Sequence, residues 1–363
     1  MIVKPFAIVN AGRTSNAFTL IELLISLAVT ALIILMVAQL MTSATAVART
    51  GNKHIDTDTQ ARAILDRMAQ DFGRMLKRTD IDYYVKAPAG YKNPKAHGKG
   101  KHLKSGELGN DSIAFFGQVP GLYPAGSQSP LSLVAYRINS NTNSAAYLKL
   151  ERMGKGLLWN GVNNGTTATS PYPIVFATGQ IDNSCTNKCP CTGTTGPWAG
   201  PWSAAICTDK DDPDGSYETV GPGVFRFEYY YLLKDGSISD APQLKVGGAS
   251  QWDFTKSVTA NLNAFSDVES IAVVIAVIDP ASRSLVFPDA LFNLMSDMAD
   301  FKNANGNGFG AKKIGDVENN WNLAVQSAAS TGTTADGSAF PPAAASAIRI
   351  YNRYIDVRTP ALF

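Results

Sequence analysis

The chain has 363 residues, of which 45% are hydrophobic and 17% charged, against roughly 25% charged in soluble domains. That apolar content excludes wholesale disorder. A net charge of +2 supplies no global field for nucleic acid, and three His with four Cys exclude a His-rich metal centre and a disulfide-dense miniature fold.

The first element is an apolar run from Leu23 to Met41, LLISLAVTALIILMVAQLM, interrupted only by Ser26, Thr30 and Gln39. At about 1.5 Å per helical residue, it nearly spans the ~30 Å hydrocarbon core of a bilayer. Lys4 and Arg13 precede it, and residues 1–17 hold no acid. Positive charge ahead of the run keeps that end cytoplasmic and sends the remaining chain across the inner membrane. An ordinary signal anchor fits the length. A cleaved secretory signal would be shorter and would end in small residues. Neither explains Glu22, a carboxylate at the apolar boundary, whose insertion costs a few kcal/mol and which needs a charge partner.

Residues 17–24 read Ala17-Phe18-Thr19-Leu20-Ile21-Glu22-Leu23-Leu24. This octapeptide resembles the class III signal of type IV prepilins and type II secretion pseudopilins. The resemblance implies that residues 1–17 are a leader. A prepilin peptidase would remove it between Ala17 and Phe18 and methylate the new Phe18 amine. Ala17 departs from the family's usual Gly but is the nearest residue in size, so the expected effect is slower cutting. The resemblance further implies two roles for the stem. It anchors the subunit in inner-membrane lipid, then packs among neighbouring stems in a filament, where Glu22 neutralises the Phe18 amine of an adjacent subunit. Other major and minor pilins or pseudopilins and an inner-membrane assembly platform are the implied partners.

Beyond the transmembrane half (18–41), residues 42–79 read as a continuing amphipathic, periplasmic helix. From Ala61 the apolar residues Ile64, Leu65, Met68, Phe72, Met75 and Leu76 recur at spacings of three and four. Gly51 marks a place for a bend. Residues 80–363 change to short β-like runs between turns. Strands are expected at Ser112–Gly117, Leu131–Ile138, Ala145–Arg152, Tyr172–Phe176, Val224–Leu233, Glu269–Asp279, Ser284–Phe287 and Ile348–Val357. Lys234-Asp235-Gly236-Ser237 reads as a hairpin turn. Helices are expected over Asp289–Phe301, after Pro288, and about Asn319–Ala328. The expected fold is α+β: a long N-terminal helix packed on an antiparallel sheet with long loop insertions. That plan is similar to those of W-type minor pilins and J-type pseudopilins.

Three tracts in the globular part carry candidate chemistry. Cys185, Cys189, Cys191 and Cys207 lie close together. In an oxidising periplasm they are expected to form disulfides, with three pairings open. A Cys189–Cys191 bond would close a strained ring around Pro190. A four-thiolate zinc site is the alternative, although the C-x3-C-x-C spacing departs from the usual one. Asp209, Asp211, Asp212, Asp214 and Glu218 surround a Gly turn. They are either calcium ligands without the EF-hand order or a solvated acidic turn. Residues 86–104 hold six Lys with His97 and His102. They read as a solvated basic loop, with contact to DNA, acidic lipid headgroups or a partner subunit the sharper alternative. No nucleophile, base or metal motif forms a catalytic constellation, so the expected protein is structural and uses no cofactor. The expectation is a minor pilin that initiates or tips a type IV pilus. The alternatives are a J-type pseudopilin of type II secretion, or a pilus-borne adhesin or DNA-binding subunit. Glu22 argues against the K-type tip pseudopilin, which typically lacks that acid.

Overall fold

In the computed structural model the described residues are 19–76, 84–85, 110–120, 131–139, 141–156, 217–239, 242, 265–301 and 313–357. Helix α1 runs from Leu20 to Gly73 and continues through Gly51. The chain divides into two compact units, Met1–Asn52 and Lys53–Phe363.

The first unit contributes the apolar part of α1. Its described side chains are all exposed, including Leu20, Leu24, Leu32, Ile34 and Leu40. The segment Leu20–Ala48, 29 residues, is long and apolar enough to cross a membrane.

The second unit has its own core. Ala61, Ile64, Leu65, Met68, Phe72 and Met75 of α1 are buried along one stripe, as the spacing predicts. Among the described residues the expected antiparallel structure is present as two sheets. One has five strands in the order β1 (Tyr84–Val85), β2 (Ile113–Gly117), β3 (Ser132–Ile138), β4 (Leu150–Gly156) and β5 (Tyr217–Gly221). The other has four, in the order β7 (Ile238–Ser239), β6 (Val224–Leu233), β8 (Val268–Val277) and β9 (Arg349–Asp356). Every pairing is antiparallel.

The strands β6 and β8 are nearly continuous apolar runs because both their faces are covered. Along one face of β6, Phe227, Tyr229 and Tyr231 form a ladder of rings with centroids 5.9 and 5.8 Å apart. On the other face, Arg226 is buried against Asp300, the Met298 carbonyl and the ring of Trp321. There too Phe301 stacks on Tyr230 at 5.0 Å. The short strand β7 leaves part of the β6 edge open. Asn110 and Asp111, just ahead of β2, close it: Asn110 Oδ1 accepts from Phe227 N at 2.7 Å and Asp111 Oδ2 from Tyr229 N at 3.1 Å. These bonds join the two sheets.

Two expected strands are corrected. The run Ala145–Arg152 is turn up to residue 149, and β4 begins only at Leu150. Ahead of it, Asn139, Asn141 and Ser144 side chains accept from backbone N–H groups two residues on. Such local bonds offer the backbone an alternative to a sheet ladder. Ser284–Phe287 is not a strand. Asp279 caps the short helix α2 (Pro280–Arg283) by accepting from Ser282 N at 3.0 Å, and the chain then turns. Residues 172–176 lie outside the described set. Among the described residues three further helices follow: α3 (Pro288–Asp297), α4 (Asp316–Thr331) and α5 (Pro342–Ala345). The Lys234–Ser237 turn forms as expected, with Gly236 at φ +81° and Ser237 N donating to Asp235 Oδ1.

Candidate functional site

The first turn of α1 is a closed polar unit. Thr19 is its N-cap. The Glu22 carboxylate accepts from Thr19 N at 3.0 Å and from Thr19 Oγ1 at 3.1 Å, and Glu22 N donates to Thr19 Oγ1 at 3.4 Å. This is the reciprocal capping box, which satisfies N–H groups that a helix start otherwise leaves orphaned. Further along, Ser26 Oγ donates to Leu23 O, Thr30 Oγ1 to Ser26 O, Thr42 Oγ1 to Ala38 O and Thr45 Oγ1 to Met41 O, at 2.7–2.9 Å. In lipid a polar group must find its partner inside the segment, and these hydroxyls do so.

A self-capped start, one carboxylate and a long lipid-compatible helix thus share the first unit. The family profile described as the prokaryotic N-terminal methylation motif matches residues 12–38, across this start. The chain carries a prepilin-type N-terminus. Ala17 and Phe18, where the resemblance places the cut, lie outside the described residues. No curated protein matches the sequence. Among solved structures, the GspK–GspI–GspJ complex of the type II secretion system from enterotoxigenic Escherichia coli is similar to it. The identity is 11%, over 62% of this chain and 90% of that one, with a TM-score of 0.23. At that TM-score the likeness is too slight to relate the two folds.

Behind this prepilin-type start, the second unit grips its own part of α1 through polar contacts that the sequence analysis missed. Asp71 is wholly buried on the apolar stripe, between Met68 and Phe72. Its carboxylate accepts from Arg152 Nε at 2.7 Å, Arg152 Nη2 at 3.2 Å and Tyr136 Oη at 2.5 Å. Burial, and then the Asp71 charge, push the Tyr136 hydroxyl well above its ordinary range, so it remains a donor. An acid on an otherwise apolar stripe was the available signal, because such a group has to be paired. On the edge strand β9, alternate residues reach α1. Arg349 Nη2 meets His54 Nε2 at 2.9 Å, Tyr351 Oη donates to Asp58 Oδ1 at 2.5 Å, and Arg353 pairs with Asp66. Thr19 too was missed, although T-x-x-E ahead of an apolar run is the written form of a capping box.

The remaining candidates divide by position. Cys185, Cys189, Cys191 and Cys207, the residues Asp209, Asp211, Asp212 and Asp214, and the basic tract 86–104 all lie outside the described residues. Glu218 is described, in β5. It stands opposite Arg152 of β4, and its carboxylate lies 3.5 Å from Arg152 Nη1 with 47% of the side chain exposed. Among the described residues no group of His, Cys, Asp and Glu has the makings of a metal site.

Proposed function

We propose that this chain is a membrane-anchored, pilin-like filament subunit with a structural rather than a catalytic role. Its leader would be cut between Ala17 and Phe18 by a prepilin peptidase, on the cytoplasmic side. The globular unit would then stand in the periplasm until the stem passes into a filament. The observation that carries this reading is the methylation motif at residues 12–38, which overlaps a helix whose first 29 residues, from Leu20, suit a bilayer. Within that class we favour a minor pilin of a type IV pilus, because a chain of this length exceeds the usual major pilin. A J-type pseudopilin of type II secretion is the alternative. The partners would be other pilins or pseudopilins and an inner-membrane assembly platform.

The energetic logic is an exchange of partners at Glu22. In the lone subunit the carboxylate is held by Thr19 of its own chain. In a filament it would be offered the Phe18 amine of a neighbour. A buried charge pair that loses one member typically costs 3–5 kcal/mol, so this contact can set the register of one stem against the next. Two substitutions separate capping from charge. Glu22→Gln keeps an amide that completes a capping box but removes the charge. Thr19→Val removes the cap and keeps the charge. The test is to shear filaments from cells carrying each variant and compare sheared with membrane-bound protein. The expected outcome is normal membrane levels for both, a large loss of incorporation for Glu22→Gln and a smaller one for Thr19→Val. Wild-type incorporation of Glu22→Gln would contradict charge pairing.

A further inference from the structure

The seam between α1 and β9 contains a histidine, the residue type used as a proton-sensitive switch. Arg349, Tyr351 and Arg353 project from the same face of β9, at the two-residue period of a strand, and meet His54, Asp58 and Asp66 of α1. His54 stands next to Lys53, where the second unit begins. Its Nε2 lies 2.9 Å from Arg349 Nη2. A guanidinium is permanently charged and can only donate. The contact therefore requires a lone pair on Nε2, which assigns His54 as neutral imidazole with its proton on Nδ1.

A proton on Nε2 removes the acceptor and sets two cations at hydrogen-bond distance. The other groups facing His54 do not offset this. Asp58 lies one helical turn on, and its Oδ1 accepts from Tyr351. Tyr351 also donates to Thr57 at 3.2 Å. Burial, and then the bond to Asp58, push the Tyr351 hydroxyl up to about 12, so it stays neutral. Arg353 is engaged with Asp66 further along the helix. Of the three rungs, only His54–Arg349 is built on an imidazole, whose acceptor nitrogen a proton would remove.

We propose that His54 and Arg349 form an acid-sensitive latch, which at neutral pH ties the start of the second unit's share of α1 to β9 and which a proton on His54 opens. The sign follows from the geometry: the stabilisation requires neutral His54, so it is present at higher pH and lost as pH falls. The latch belongs to the fold and does not depend on the filament reading.

Hydrogen exchange read by mass spectrometry on the full-length protein in detergent micelles tests it. The two conditions are about pH 8 and about pH 5, which bracket the imidazole range, with exchange times scaled for the intrinsic pH effect. In wild type, amides of residues 54–60 should lose protection several-fold at the acid pH, because the contact that holds this turn to β9 is lost. The β8 amides should keep theirs. His54→Gln, a neutral side chain whose oxygen accepts from Arg349 at either pH, should hold its protection throughout. Arg349→Gln, which removes the opposing cation, should lose most of the acid sensitivity. The latch is overturned if wild type exchanges alike at both pH values, if His54→Gln loses protection as wild type does, or if the loss spreads equally over β8.

Discussion

Asp71 shows how much one buried side chain can decide. It is the only acid on the buried stripe of α1 between Ala61 and Met75, and it holds Arg152 and Tyr136 from two neighbouring strands. Two desolvated charges are no free gain, because the cost of taking them out of water can equal their attraction. Removing one alone is another matter, since the survivor is then buried without a counter-charge. Asp71→Ala should therefore destabilise the second unit by about 3–5 kcal/mol, whereas Asp71→Leu combined with Arg152→Met should recover most of that loss. Denaturant unfolding of the three proteins checks this. Equal stability of Asp71→Ala and wild type would show that the carboxylate does not anchor the helix. The exposed partner Glu218 should matter far less, since a half-exposed carboxylate at 3.5 Å is screened by solvent.

Elements follow from patterns of different range. The α1 stripe was legible because Ile64, Leu65, Met68, Phe72 and Met75 repeat at helical spacing, and β6 because VFRFEYYYLL ends on an Asp-Gly turn. The start of β4 was not legible, because Asn139, Asn141 and Ser144 bond locally to the backbone and draw it into turns. The division into two sheets was hidden as well. So was their junction, which depends on Asn110 and Asp111 reaching β6 across more than a hundred residues of chain. The α1–β9 seam joins residues such as Thr57 and Tyr351, 294 positions apart, which no local period can reveal. Close approach is just as invisible in sequence. Gly223, in the turn from β5 to β6, donates its N–H to Gln60 Oε1 of α1 at 3.1 Å. A Cβ there would stand 2.3 Å from that oxygen and 2.5 Å from the Ile278 carbonyl. Gly223→Ala should displace α1 from the turn and cost at least as much as typical overpacking, about 1–3 kcal/mol. A lowered midpoint in thermal unfolding is the expected result, and an unchanged midpoint would mean that the helix is not seated there.

At the scale of the whole molecule, the two units solve different solvent problems. The second unit buries its own core around two sheets. The first presents a bare apolar surface on which the Ser26, Thr30, Thr42 and Thr45 hydroxyls are satisfied within the helix, as lipid demands. If the second unit is exported, Cys185, Cys189, Cys191 and Cys207 meet an oxidising compartment, and two disulfides are expected. Peptide mapping under non-reducing conditions with thiol labelling checks this, and four labelled thiols in the exported protein would reject it and reopen the zinc alternative. The central claim is that the chain is made as a precursor and becomes a filament subunit by losing its leader. Raising the small residue at the cut to the usual one, Ala17→Gly, should speed that step, and a bulky residue should block it. The most direct measurement is the intact mass and N-terminal sequence of the protein recovered from membranes. The account predicts a mature chain that begins at Phe18 and carries one N-terminal methyl group. A chain that still begins at Met1, in cells with an active prepilin peptidase, would contradict it.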